Sequence, residues 1–373
     1  MQVVIIGAGV IGSGLAWRLA RRGSTVTLIE RDRPASGTTG TSFSWFNANA
    51  KRPEDYFRLN LAGMEAHHAL RAELGDAPWM HEGGNLVCRG QDNWTDSSGH
   101  VEDLESRFAE LERWDYPAQW LSRAEVEELE PNVRFTDDIR RFAFFPTEGW
   151  IDGPLLARSM ARMAGEAGVS LRFGCEVSAI ERQGDRISGV RLADGEQIAC
   201  DLLVNCAGPW ADRIARMAGR ELPLAPTLGF IPRVSGAAPD AVKRVVHMPT
   251  LDIRPDGGGL FALHHHDADA SIAAGDPHEE WAERLLSRFK HYVPSVANAQ
   301  VARASIAMRP IPADGRTSAG LLPSLPGYAE IVSHSSITLG ALLPALVADE
   351  LTGSEPNPLL ANFRPDRFKG TSA

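Results

Sequence analysis

The chain has 373 residues, 43% of them hydrophobic and 23% charged, with 38 Lys and Arg against 48 Asp and Glu for a net charge of −10. That composition belongs to a folded globular protein, excludes a disordered chain, and leaves length for two or three domains or one large composite. An acidic chain also repels polyanions, so no nucleic-acid partner is expected. The first apolar run, residues 3–6, stops at Gly7 with no basic segment before it, and nothing later approaches about 18 apolar residues in a row. Neither a secretory leader nor an integral membrane segment is therefore expected. Cys88, Cys175, Cys200 and Cys206 form no C-x-x-C pair and read as free thiols of a reducing cytoplasm.

In chain order, Gln2–Ile6 predicts a buried parallel strand, short, continuous and β-branched. Val10, Ile11, Leu15 and Leu19 then follow at helical spacing, with Gly23 as the stop. Residues 26–29 predict the next strand, ending at Glu30, so the N-terminus is a complete βαβ unit. Residues 100–130 read as charged, peripheral helix. A second amphipathic helix is expected after Asp152 as N-cap, with Pro154 in its first turn and Gly168 at its end. Turns at 183–185 and 193–195 separate three short strands, 176–181, 186–192 and 197–199, as in a β-meander. Leu202–Asn205 is another buried strand. Residues 225–300 read as extended segments plus one helix at about 279–292, and Ile331-Val332 precedes a helix at 339–351.

Gly7-x-Gly9-x-x-Gly12 lies between the first strand and its helix. The first glycine permits a tight turn, the second lets backbone approach a pyrophosphate, and the third lets helix and strand pack. The helix N-terminus then offers free N–H groups and a positive dipole end. Glu30 closes the second strand 18 residues after Gly12, where an acid accepts hydrogen bonds from ribose hydroxyls and disfavours a 2′-phosphate. The loop alone does not separate FAD from NAD.

At this point the chain resembles the FAD-dependent amine and amino-acid oxidoreductases, the superfamily of D-amino-acid oxidase, glycine oxidase, sarcosine oxidase and D-amino-acid dehydrogenase. Six blocks carry the resemblance, in the family's order. They are residues 3–12 with Glu30-Arg31, residues 35–42, residues 149–152, residues 203–211, the Arg309-Pro310…Asp314-Gly315-Arg316 block, and residues 334–340. The resemblance implies an α/β fold in which a Rossmann-like FAD-binding domain (1–75, 145–222 and 301–373) is interleaved with an antiparallel-sheet substrate domain (76–144 and 223–300). It implies FAD contacts from Gly7, Gly9, Val10, Ile11, Gly12, Glu30 and Arg31, and from Ser36, Thr38, Thr39, Gly40, Thr41 and Ser42. Val177 is expected at the adenine, and Ala207, Gly208 and Trp210 beside the dinucleotide. Arg309, Ser336, Ile337, Thr338 and Leu339 complete the set, residues 336–341 aiming a helix N-terminus at the flavin pyrimidine edge. This chain departs from the family at Ser336 and Gly340-Ala341, where Gly and Pro are frequent. No Cys follows Cys206, so non-covalent FAD is expected.

The same resemblance implies oxidation of the C–N bond of a small amino acid (D-amino acid, glycine or N-alkylglycine type) by hydride transfer to flavin N5. Arg309 is the expected clamp on the substrate carboxylate, because a guanidinium fork fixes both charge and orientation. The other reading of Arg309 is a structural ion pair with a local acid such as Asp314. His334 and Tyr56 are weaker catalytic candidates, and Trp45, Phe46, Asn47 and Asn49 could line the pocket or the core. His264-His265-His266 with Asp267 and Asp269 reads as a wet strand, not a metal site, since only alternate residues share a face. His67-His68 reads as an exposed helix turn, and Cys206 as a small buried strand residue. Rival functions are a flavin-dependent 2-hydroxyacid or glycerol-3-phosphate-type dehydrogenase, a flavin-binding subunit of a hetero-oligomer, and an NAD-binding protein without flavin. The acceptor is expected to be O2 or a quinone, and a homo-oligomer is compatible with the sequence.

Overall fold

A computed structural model describes residues 1–90, 94–95 and 101–368 of the chain. Small parts of the expected segments 76–144 and 301–373 therefore lie outside the described residues.

The N-terminal βαβ unit forms as its periodicity requires. Gln2–Ile6 pairs in parallel with Thr25–Glu30, Val3 opposite Val26 and Ile5 opposite Leu28, and the apolar side chains of both strands are buried. They belong to a six-stranded sheet in the order Ser170–Phe173, Thr25–Glu30, Gln2–Ile6, Leu202–Asn205, Tyr328–Val332, Ser318–Leu321. The first five strands run parallel and the last antiparallel. Helix Val10–Ala20 packs on Gly153–Glu166 and Leu342–Leu351; at Gly14 a Cβ would stand 2.9 Å from Met160 Sδ and 3.0 Å from Pro344 Cγ. Asp152 caps Gly153–Glu166 through Leu155 N at 2.8 Å. The expected meander is present as Val177–Gln183, Arg186–Leu192 and Gln197–Ala199.

The second large sheet has eight strands, in the order Gln300–Pro312, Leu224–Ser235, Leu260–His264, Leu251–Asp256, Val245–Met248, Asn85–Arg89, Arg141–Phe145, Gln119–Trp120. It is antiparallel except where Val245–Met248 meets Asn85–Arg89, a strand delivered by a distant part of the chain. Helix His278–Tyr292 covers it with Trp281, Leu285 and Phe289. Gln300–Pro312 pairs with Leu224–Ser235 along its whole length, so a boundary at 300/301 would divide this sheet; its edge ends at Pro312.

Local expectations differ from the structure at several points. The C-terminal helix begins at Leu342, three residues later than expected, because residues 334–341 fold as successive turns. Only His264 ends a strand; His265 is extended and His266 opens the helix His266–Ala273, so the alternation argument does not apply to the triplet. Helix Leu104–Arg113 is not merely peripheral. It buries Leu104, Phe108 and Leu111, and Arg107, 1% exposed, donates to the carbonyls of Asn49 and Lys51.

Candidate active site

The strands Gln2–Ile6, Thr25–Glu30, Leu202–Asn205 and Tyr328–Val332 end on one edge of the parallel sheet, where open α/β sheets bind ligands. Gly7 turns there at φ 103°, its N–H donating to Ile29 O at 2.8 Å. A Cβ at Gly12 would lie 1.9 Å from Gly7 O, so the loop and helix can meet only without side chains. Helix Val10–Ala20 starts at Gly9, which supplies no side-chain cap, and has no acid in its first turn; Val10 N donates to Thr39 Oγ1 at 3.3 Å, and the positive end of the helix suits an anion. Glu30 Oε2 accepts from Ala8 N at 2.9 Å, and Oε1 from Asp32 N at 3.0 Å and Ser36 Oγ at 3.4 Å. The Arg31 guanidinium lies 4.5 Å from the Trp210 ring centroid.

A cavity of about 150 Å³ follows this loop. Of the residues expected to bind FAD, Gly7, Gly9, Val10, Ile11, Glu30, Arg31, Ser36, Thr38 and Thr39 line it, with Val177, Ala207, Gly208, Trp210 and Ser336. Thr38 also lines a second cavity of about 690 Å³, which holds Thr41, Ser42, Ile337 and Thr338 together with Arg309 and His334. Gly12, Gly40, Leu339 and Tyr56 line neither. A Cβ at Gly40 would lie 2.2 Å from Ala35 O, and Leu339 is fully buried against Gly63. Tyr56 is buried, and its phenol donates to Ser335 Oγ at 2.8 Å, so it reaches the second cavity through Ser335.

The turns at 334–341 are held from behind by helix Glu54–Leu74. His67 is buried, not exposed, and its Nε2 lies 3.0 Å from Ile337 O. Burial pulls its imidazole down to about 4, so it is neutral and donates to that carbonyl. Thr338 Oγ1 in turn accepts from Asn47 N at 3.3 Å. Asn47 lines the second cavity, and its buried Oδ1 finds no partner among the described residues, as suits a wall that awaits a donor.

Arg309 projects from Gln300–Pro312 into the second cavity. Its Nη2 donates to Asp269 Oδ2 and stands 3.3 Å from His264 Nε2. Asp314 is not its partner: that acid accepts from Arg367. His264 bridges two carboxylates, Nδ1 to Asp252 at 2.9 Å and Nε2 to Asp269 at 3.0 Å. Burial disfavours its charge, but the Asp269 charge and both hydrogen bonds outweigh burial and raise it to about 9. His334 is held well below the ordinary range, first by burial and then by Lys51 and Arg309, and stays neutral. Cys206 lines the first cavity, and burial pushes its thiol up, so it is no nucleophile. Among the described residues, no group of three or more His, Cys, Asp or Glu is placed to hold a metal ion.

Glu148 carried no sequence signal and is the largest omission. It is fully buried, and its carboxylate accepts from Trp45 Nε1 (3.2 Å), Ala48 N (3.1 Å), Asn49 N (3.0 Å), Asn49 Nδ2 (2.8 Å), Asn85 Nδ2 (3.1 Å) and Tyr116 OH (2.6 Å). It fixes the 45–49 segment that walls the cavity.

A dinucleotide loop, an acid at the second strand and a second cavity reached past Thr38 together suit an elongated cofactor. The acid-free helix end fits a pyrophosphate, and the orphaned Asn47 Oδ1 lies in the wall of the second cavity. Comparison with known proteins agrees. The family model for FAD dependent oxidoreductase matches residues 2–349, and the chain belongs to that family. It is an oxidoreductase with FAD as cofactor. It is 26% identical over 377 residues to glycine oxidase of Geobacillus kaustophilus, covering 99% of this chain and 97% of that one. It is 26% identical over 333 residues to anaerobic glycerol-3-phosphate dehydrogenase subunit A1 of Haloferax volcanii, covering 83% of this chain and 54% of that one. The crystal structure of glycine oxidase from Bacillus cereus superposes with a TM-score of 0.79 at 21% identity, covering 96% of this chain and 97% of that one. The mixed α/β architecture is thus that of the glycine oxidase fold. No helix among the described residues is long and apolar enough to cross a membrane.

Proposed function

We propose that the enzyme oxidises the C–N bond of a small amino acid of D-amino acid, glycine or N-alkylglycine type, with non-covalently bound FAD. The observation that carries this reading is Arg309 in the wall of the second cavity, on the strand whose Met308 carbonyl accepts from Thr38 Oγ1 at 2.8 Å. That contact ties the carboxylate clamp to the segment expected beside the flavin. Bound flavin supplies the two-electron acceptor. The protein's part is orientation and exclusion of water. Arg309 holds the carboxylate and sets Cα, neutral His334 adds no further positive charge, and the wall fixed by Glu148 and His67 keeps the geometry. The substrate leaves as an imine, which water hydrolyses to a keto acid or aldehyde.

No cysteine is among the described residues lining the second cavity, so no thiol there is placed as a point of covalent attachment. O2 or a quinone would then reoxidise the flavin, in the cytoplasm. The Haloferax relative raises a phosphate-bearing substrate as the second reading. The test is anaerobic mixing of the purified enzyme with a panel of small amino acids, N-methyl amines, 2-hydroxyacids and glycerol 3-phosphate. Bleaching of the flavin by an amino acid and not by glycerol 3-phosphate is the expected result.

A further inference from the structure

Arg309 is not an unengaged clamp. Asp269, on helix His266–Ala273, anchors its Oδ1 on Phe230 N at 2.7 Å and presents Oδ2 to Arg309 Nη2 and to His264 Nε2. Behind it runs a continuous line of bonds, His264 to Asp252 at 2.9 Å and Asp252 to His247 at 2.7 Å. On its other side the guanidinium packs over Gly229, where a Cβ would stand 3.2 Å from Nε and 3.4 Å from Nη2. Arg309 and charged His264 therefore balance Asp252 and Asp269. A carboxylate arriving alone at Arg309 would meet a second carboxylate already on the same nitrogen.

We propose that Asp269 is a specificity-determining latch on Arg309, which refuses simple carboxylates and admits those carrying an N–H donor able to take over Asp269 Oδ2. An α-amino acid satisfies both partners, its carboxylate on the guanidinium and its amine on Asp269. A lone carboxylate satisfies one and repels the other. This rests on the reading of Arg309 as the carboxylate clamp, and it adds an amine-facing residue that the sequence had placed on a wet strand.

The test uses the FAD-loaded enzyme, with acetate as the carboxylate probe and acetamide as its uncharged analogue, titrated by calorimetry without turnover. Asp269→Asn keeps an oxygen for Phe230 N but removes the competing charge. It should bind acetate about ten-fold or more tighter than wild type, with acetamide unchanged. Asp269→Ser, also neutral but too short to reach Arg309, should act in the same direction and serves if the Asn variant folds poorly. Adding Arg309→Leu to either variant should abolish the gain. Acetate binding that is equal or weaker in both neutral variants, or absent from all proteins, overturns the latch. A gain that survives Arg309→Leu overturns Arg309 as the clamp instead. Flavin bleaching by amino acids is read separately, so loss of the latch and loss of the amino-acid oxidation reading are distinguishable.

Discussion

The phenol of Tyr116 donates to the carboxylate of Glu148 at 2.6 Å, joining two buried residues 32 positions apart. Glu148 gathers donors from three chain segments, 45–49, Asn85 and Tyr116, and none of these donors is a cation. Burial pushes its carboxyl up to about 7 in spite of those donors. Glu148→Ala would orphan several buried donors, each costing about 1–3 kcal/mol. The expected outcome is a loss of at least about 3 kcal/mol in denaturant unfolding, together with a changed flavin absorbance envelope as the 45–49 wall loosens. A loss below about 1 kcal/mol would show that water replaces the carboxylate.

Glu30 has two tasks. It already anchors the loop through Ala8 N and Asp32 N, and it is the expected ribose acceptor. Glu30→Ala should weaken FAD binding by roughly ten- to a hundred-fold, for a loss of about 1.5–3 kcal/mol of charge-assisted bonding. Equilibrium dialysis of the apoprotein against FAD reads it, and an unchanged dissociation constant would place the ribose elsewhere.

His264 makes a pH prediction. Its folded value is raised from 6.5 to about 9, so its contribution is complete below 6.5 and is lost as pH rises through about 9. The stability advantage of wild type over His264→Gln should therefore be largest at acidic to neutral pH and shrink across that window. An advantage that grows between pH 6.5 and 9 would contradict a charged His264.

Non-covalent attachment predicts that acid or heat denaturation releases the yellow chromophore into the supernatant, where it chromatographs as FAD. Flavin that stays with the precipitate would indicate a covalent link.

The N-terminal unit was legible because its signals are local: β-branched strand, three glycines, helical spacing and Glu30 all fall within residues 2–30. The same holds for Asp152 as a cap and for the meander turns. Partnerships across the chain were not legible. Asp269 meets Arg309 across 40 positions and Glu148 meets Asn49 across 99; Glu148 carries no local pattern, and Asp269 stood out only beside the histidine triplet, not as a partner of Arg309. His67 read as exposed as half of a histidine pair, yet helix Glu54–Leu74 turns it onto Ile337. The His264 triplet misled because a strand ends and a helix begins inside it, which spacing rules cannot see. Arg309 was legible only through resemblance, and its engagement by Asp269 was not.

The most direct test of the account is the anaerobic rate of flavin reduction against amino-acid concentration, in wild type, Arg309→Leu and Arg309→Lys. A substrate carboxylate deprived of its partner costs about 3–5 kcal/mol, so efficiency in Arg309→Leu should fall by roughly two to four powers of ten with flavin content near wild type. Arg309→Lys should recover part of it, since an ammonium keeps the charge without the fork. Reduction of flavin in Arg309→Leu as fast as in wild type at equal substrate would contradict the account and point to an amine without a carboxylate.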